Sequence, residues 1–247
     1  ATVMPENGAL GLPGAHANYQ LLDRRTGAVL AVLDGVELTA RRTAAASALA
    51  SRYLSRMEAA RLLVVGTGTL APHLIRAHAS QRALTNVQVW GRRPERAASV
   101  ADGLDLPGVT VETVSDLRSA VSDADIISCA TLSLEPLVHG EWMSPGQHLD
   151  LVGGFTPHMR EADDTAIAKA RVFVDTYDAV HTAGDICDPL KHGVISDADI
   201  LGTLFTLTLG EAPAVRPEGN EITLFKSAGT AIEDLAGAVL AYEKMRG

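Results

Sequence analysis

The spacing with the most chemical content is Gly66-Thr67-Gly68-Thr69-Leu70-Ala71, a G-x-G-x-x-A set directly after the apolar run Leu62 to Val65. A buried strand, a glycine turn and a helix start are the parts of a dinucleotide-binding βα unit. Gly66 lets the chain turn out of the strand. Gly68 lets backbone approach a pyrophosphate with no Cβ in the way, and Ala71 lets helix pack tightly on strand. The helix N-terminus then offers N–H groups and a positive dipole end to the phosphates. A purely structural glycine turn is the bland alternative, and the strand–turn–helix context favours binding. A little over twenty residues further on, Gly91-Arg92-Arg93-Pro94 closes the next strand-like stretch. An NAD-preferring site carries an acid there for the ribose 2′-OH. Two guanidinium forks suit a 2′-phosphate instead, against the alternative of two solvated surface arginines. The expected cofactor is NADPH, with NADH as the lesser one.

Further candidates stand at the ends of later strands. Ala130-Thr131-Leu132 and Val152-Gly153-Gly154-Phe155 would border the same cleft, where glycines suit close approach of a nicotinamide; ordinary turns are the alternative. Lys226 and Ser227 follow the last strand, and Ser227 reads either as a helix N-cap or as a group reaching the cofactor amide. Arg42 lies near the expected start of an Ala-rich helix, in Arg41-Arg42-Thr43-Ala44-Ala45. Cations there oppose the macrodipole, which suggests a use such as gripping a carboxylate through both arms of the fork; Arg41 reads as surface charge. His16 is a proton donor or a structural histidine. Asp150, inside an apolar strand, is expected to satisfy local backbone groups, Cys129 to be buried and inert, and Glu233 and Asp234 to be solvated or capping. There is no metal-ligand cluster, no Ser/His/Asp spacing and no activated cysteine. Hydride chemistry needs none of these, because the cofactor carries it.

The elements that must position these residues follow from pattern. Residues 1–35 read as β-rich, with turn signals at Asn7-Gly8 and Pro13-Gly14 and a hairpin whose strands 19–22 and 28–33 flank Asp23 to Gly27. Thr39 is the expected cap of a helix over 40–57. Then strands (62–65, 87–90, 109–114, 125–130, 148–152, 172–175) alternate with helices (72–81, 95–103, 116–122, 161–170). This pattern predicts an α/β fold, a Rossmann-type doubly wound parallel sheet with its ligand edge at the strands' C-terminal ends. The remainder differs in texture: an apolar stretch over 201–209 that reads as helix or strand, a strand over 221–225 and a helix over 227–246. With 247 residues, 47% hydrophobic, 21% charged and a net charge of −9, the composition is that of an ordinary globular protein and excludes a general nucleic-acid or anionic-membrane binder. Two cysteines without metal spacing suggest a reducing, cytoplasmic setting. The start at Ala1 suggests that an N-terminal part is absent.

Five stretches together carry a resemblance: LDG…LTARRTAAASALA (Leu33 to Ala50), VVGTGTLAPHLIRAH (Val64 to His78), VWGRRPERA (Val89 to Ala97), ADIISCATLSLEPLVHGEWMSPGQHLDLVGGF (Ala124 to Phe155) and TLFKSAGTAIEDLA (Thr223 to Ala236). The chain resembles the ornithine cyclodeaminase/mu-crystallin family over essentially its whole length. The resemblance implies a nucleotide-binding domain, residues 59–180, inserted into a second α+β domain for substrate binding and dimerisation, residues 1–58 and 181–247. It implies a homodimer, and an upstream segment with a substrate-binding lysine and arginine. It also makes Arg42 the holder of the substrate carboxylate. The family's cyclodeaminases carry G-G-D-x-P-G-K after the fifth strand, whereas this chain reads Gly153-Gly154-Phe155-Thr156-Pro157-His158. The acid that handles the substrate amine is replaced by Phe155, as in members that reduce cyclic imines. The implied substrate is Δ1-pyrroline-2-carboxylate or Δ1-piperideine-2-carboxylate, a small cyclic imino acid, and the implied product proline or pipecolate. His158 is the candidate proton source. Rival readings are an ornithine cyclodeaminase and a non-catalytic NADPH-dependent binding protein.

Overall fold

The computed structural model describes residues 2–4, 7, 10–12, 15–216 and 218–247. The expected turns at Asn7-Gly8 and Pro13-Gly14 fall, at Gly8, Pro13 and Gly14, outside these residues. In chain order the elements are β1 (Thr2–Val3), β2 (Ala15–His16), β3 (Asn18–Leu22), β4 (Val29–Asp34), α1 (Gly35–Leu54), β5 (Arg61–Val65), α2 (Leu70–Gln81), β6 (Asn86–Trp90), α3 (Pro94–Asp102), β7 (Thr110–Thr113), α4 (Leu117–Asp123), β8 (Ile126–Cys129), β9 (His148–Leu151), α5 (Asp164–Lys169), β10 (Ala170–Val174), α6 (Asp178–Thr182), α7 (Gly184–Lys191), β11 (Ile200–Thr203), α8 (Leu204–Leu209), β12 (Ile222–Lys226) and α9 (Ala231–Arg246). They form two compact units, Ala1–Thr43 with Thr230–Gly247, and Ala44–Gly229.

In the smaller unit β1 pairs antiparallel with β2, and β3 with β4. The β3–β4 turn is built by Asp23, whose Oδ1 accepts the N–H groups of Arg25 and Thr26 at 2.9 Å each; Gly27 at φ +72° then reverses the chain. The helix after the hairpin begins earlier than Thr39. Asp34 caps it, Oδ1 accepting from Val36 N at 2.8 Å and Glu37 N at 3.1 Å. Gly35 fits the junction because a Cβ there would stand 2.7 Å from the Ala17 Cβ.

The larger unit is an eight-stranded, wholly parallel sheet of order β11-β10-β12-β9-β8-β5-β6-β7. Its central strands are apolar on both faces, as helices on both sides require. On one side Leu63, Val65, Ile127, Leu149, Leu151 and Leu224 share a core. On the other Leu62, Val64, Val87, Val89 and Ile126 pack with Ala71 and Ile75 of α2. Chain order reverses between β5 and β8, which makes the ends of those two strands the topological switch point.

Three expectations change. The stretch over 201–209 is both strand and helix, β11 then α8, divided at Thr203, whose hydroxyl caps Thr206 N at 3.3 Å. The helix expected over 161–170 starts only at Asp164, because Asp163 caps Ala166 N at 2.8 Å while the amides of Glu161 and Ala162 are bound by Asp185 at 2.7 and 3.2 Å. And β11 and β12 join the sheet, which therefore takes in strands as far along the chain as residue 226. No helix among the described residues is long and apolar enough to cross a membrane.

Candidate dinucleotide site and the charges beneath it

Strand β5 delivers Gly66 to the switch point. At φ +126° it holds a backbone conformation that disfavours any side chain, and a Cβ would lie 2.5 Å from the Ala130 carbonyl oxygen. Gly66 is therefore where the ends of β5 and β8 approach each other. Gly68 faces open space, with nothing within 4 Å of an added Cβ. That is the room a phosphate needs against bare backbone. Ala71 is fully buried, and its N–H donates to the Gly68 carbonyl at 3.1 Å as α2 begins. Gly91, at the end of β6, leaves space for Thr67, whose Cγ2 would be 2.5 Å from a Cβ.

These residues line one cavity of about 520 Å³, with walls made by Gly66, Thr67, Gly68, Gly91, Arg92, Arg93, Ala130, Thr131 and Leu132, and also by Trp90, Arg96 and Leu137. The structure thus gathers the glycine turn, both predicted arginines and the end of β8. Thr67, Gly68 and Thr69 also border a neighbouring cleft with Arg76 and Arg96. Arg96 is a third cation that the sequence reading passed over; its signal is the run Arg92-Arg93-Pro94-Glu95-Arg96. Leu70 packs inward beside Leu74 and Val152. A cradle with no Cβ at Gly66 and Gly68, bounded by three guanidinium groups, fits a dinucleotide.

Beside the cavity the end of β9 meets the end of β8. A Cβ on Gly153 would stand 1.9 Å from the Thr131 carbonyl oxygen. The buried carboxylate of Glu161 closes this seam. Its Oε1 accepts Thr131 N at 2.6 Å and the Thr131 hydroxyl at 2.9 Å; its Oε2 accepts Gly153 N at 2.7 Å and Gly154 N at 3.3 Å. Burial pushes Glu161 up to about 7, against the lowering effect of Lys226. Lys226 is itself fully buried, its Nζ 3.2 Å from Asp185 Oδ2, so it is enclosed by a counter-ion rather than open to the cleft. Ser227 is buried with its N–H on the Leu151 carbonyl at 3.2 Å, and it does not cap α9, which begins after Thr230. Cys129 is buried, its thiol pushed well up by burial and by Glu161, consistent with an inert group.

Asp150 does not serve the backbone. It accepts the Ser128 hydroxyl at 2.6 Å and faces His78 Nε2 at 3.4 Å. Burial raises its pKa, but the hydrogen bond and charge of His78 and the Ser128 hydroxyl hold it below the usual carboxylate range. Next to it His148 is lowered to about 3 by burial. Thr223 donates its hydroxyl to the Leu54 carbonyl and so accepts from His148 Nδ1 at 3.0 Å.

Phe155 is 46% exposed on the loop after β9, and His158 is exposed on the same loop. In the smaller unit Arg42 lies in the third turn of α1, counting from Gly35, so the macrodipole argument does not apply to it. Its Nε donates to Asp234 Oδ1 at 2.8 Å and its Nη1 to Glu233 Oε2 at 3.1 Å. Those acids are ion-pair partners, not solvated charges. Arg41 pairs with Glu37 on the surface. His16 is exposed in β2.

Comparison with known proteins agrees with this geometry. The chain is 41% identical to the protein SAR DEFICIENT 4 of Arabidopsis thaliana over 98% of its own length and 76% of that protein's. It is 39% identical to a Δ1-pyrroline-2-carboxylate reductase of Colwellia psychrerythraea, covering 99% of this chain and 78% of the other. The structure of the Thermococcus litoralis Δ1-pyrroline-2-carboxylate reductase in complex with NADH and L-proline superposes with a TM-score of 0.93 at 36% identity, over 98% of this chain and 75% of that one. The family model for ornithine cyclodeaminase/mu-crystallin matches residues 1–247. With the glycine cradle, the parallel sheet and these matches agreeing, the chain belongs to the ornithine cyclodeaminase/mu-crystallin family.

Proposed function

We propose that this protein reduces a small cyclic imino acid, Δ1-pyrroline-2-carboxylate or Δ1-piperideine-2-carboxylate, using a nicotinamide dinucleotide with NADPH preferred. The observation that carries the reading is Phe155, an exposed phenyl ring on the loop after Gly153-Gly154, where the family's cyclodeaminases place an acid. A phenyl ring cannot neutralise an ammonium or move a proton, but it can cover the apolar face of a planar ring. The resemblance to two Δ1-pyrroline-2-carboxylate reductases supports the same substrate class.

When bound, the dinucleotide supplies the hydride. The glycine turn and the end of β8 hold it, and Arg92 and Arg93 select the 2′-phosphate. Arg42 orients the substrate carboxylate, with Glu233 and Asp234 fixing its guanidinium. A protonated imine is already electrophilic, so the remaining work of the protein is to orient it and exclude water; His158 is our candidate for the proton. We also infer a homodimer in a cytoplasmic setting, the dimer supported by exposed apolar side chains on β3, β4 and α9 such as Leu22, Val32 and Leu240.

The test is NADPH oxidation with each imino acid beside ammonia release from ornithine with NAD⁺. Turnover of an imino acid without ammonia release is expected. Ammonia release at a comparable rate would overturn the reading in favour of a lyase, and saturable NADPH binding without any turnover would favour a binding protein.

A further inference from the structure

Glu161 takes no part in the chemistry just described, yet it is fully buried and spends both oxygens on the loops at the edge of the cofactor cavity. We propose that Glu161 is a positioning residue for the cofactor, its buried carboxylate pinning the ends of β8 and β9 together through Thr131, Gly153 and Gly154. This rests on the nicotinamide reading above.

The argument is geometric. Parallel strands end without a turn to join them, so the peptide groups just past β8 and β9 have no ladder partners. Without Glu161, Gly153 N and Gly154 N would be buried orphaned donors, and Thr131 N a part-buried one. One carboxylate satisfies all three and the Thr131 hydroxyl as well. The seam has no slack, as the 1.9 Å approach to a Cβ on Gly153 shows. Thr131 is also a wall of the cavity, so the position of that wall is set by an acid that lies outside the lining. Glu161 is held in turn: Asp185 Oδ1 accepts its N–H at 2.7 Å, and Asp185 Oδ2 binds Lys226.

The groups facing Glu161 are Lys226 from β12, Asp185 from α7 and Cys129 from β8, with Arg160 Nε 3.9 Å from Asp185 Oδ1. Protonation of Glu161 puts an O–H donor on one of the two oxygens that accept these amides and removes the charge that strengthens all four bonds. The loops should therefore loosen as pH falls through about 7. Glu161→Gln makes the same change permanently while keeping the shape.

The experiment measures NADH dissociation constants of wild type and Glu161→Gln across this pH range, with circular dichroism confirming the fold. NADH is chosen because the 2′-phosphate of NADPH titrates nearby. We expect the substitution to weaken NADH about tenfold at pH values above the transition, the scale of one charge-assisted contact. We expect wild type to weaken toward the variant as pH falls, and the variant to lack that pH dependence. A merely structural acid would change the melting temperature and leave the NADH pH profile intact. A variant that binds within about twofold of wild type with the same profile overturns the role of Glu161 alone. A wild type that binds neither NADH nor NADPH overturns the cofactor reading and this one with it. Should Glu161→Gln not fold, the wild-type profile decides: an NADH affinity that does not weaken as pH falls through about 7 overturns the proposal.

Discussion

Arg92 and Arg93 face the cavity as two adjacent forks at the end of β6, and cofactor choice is their expected effect. Replacing both with Ala should weaken NADPH by about 2–4 kcal/mol, two charge-assisted contacts, and leave NADH nearly unchanged; equal losses measured for the two cofactors would remove them from 2′-phosphate recognition. Arg42→Lys keeps the charge but loses the planar fork that Glu233 and Asp234 hold in place. Steady-state kinetics should show a raised KM for the imino acid with cofactor affinity retained. Phe155→Asp should damage imine reduction by setting a hydrated anion against the ring, and it need not create ammonia release. At this scale the cradle is legible in sequence because a glycine turn and its arginines are local, a few residues apart. Glu161 and Asp185 are not legible. In His158-Met159-Arg160-Glu161 and Gly184-Asp185-Ile186 they look like any surface acids, and only the tertiary fold buries them against amides 7 to 30 residues away. Lys226, beside a glycine loop, reads as a ligand contact, and its buried pairing with Asp185 is equally invisible in the sequence.

Among elements, β12 is the instructive one. Its alternation marks it as a strand, but nothing local says that it enters the middle of the sheet between β9 and β10. The long-range devices that place it include Arg216, which donates to the Leu54 carbonyl at 2.9 Å, the Gln147 carbonyl at 3.2 Å and the Thr223 hydroxyl at 3.1 Å, and also to the Glu221 carbonyl. Burial lowers this guanidinium to about 10, so it stays charged. Removing it takes the charged donor from four acceptors at once, leaving the Leu54 and Gln147 carbonyls to Thr223 alone, and Arg216→Ala should cost on the order of 3 kcal/mol in urea unfolding; a loss below about 0.5 kcal/mol, the scale of an ordinary surface change, would show that β12 is held by its ladder alone. Helix α1 shows the opposite failure. Thr39 is a good cap by type, but Asp34 stands where the backbone turns and takes the role.

For the whole molecule, two buried groups oppose each other in the response to acid. Unfolded His148 takes a proton below about 6.5 and the folded one only below about 3, so its contribution to stability is lost as pH falls across that window. Glu161 runs the other way. The folded carboxyl keeps its proton up to about 7 and the unfolded one releases it above about 4.5, so its contribution is lost as pH rises. Between about 4.5 and 6.5 the two slopes offset. Glu161→Gln should uncover the histidine, with stability falling by up to about 1.4 kcal/mol per pH unit as pH drops through that range, while wild type stays flatter. Urea unfolding at a series of pH values checks this, and parallel slopes for the two proteins would refute it. The doubly wound class is readable from the alternation of elements, but the strands that the sheet recruits after residue 180 are not, because that is a question of distant pairing.

The place of β12 also governs timing during synthesis. A ribosome that has made the chain as far as residue 221 has released β9 and β10 but not the strand that joins them. Until residues 222–226 emerge, two apolar strands next to the cofactor edge each present an unpaired backbone, the kind of surface that seeks other chains. Such late, long-range closure is slow. Interrupted translation products of this protein are thus expected to be clients of chaperones rather than smaller working enzymes.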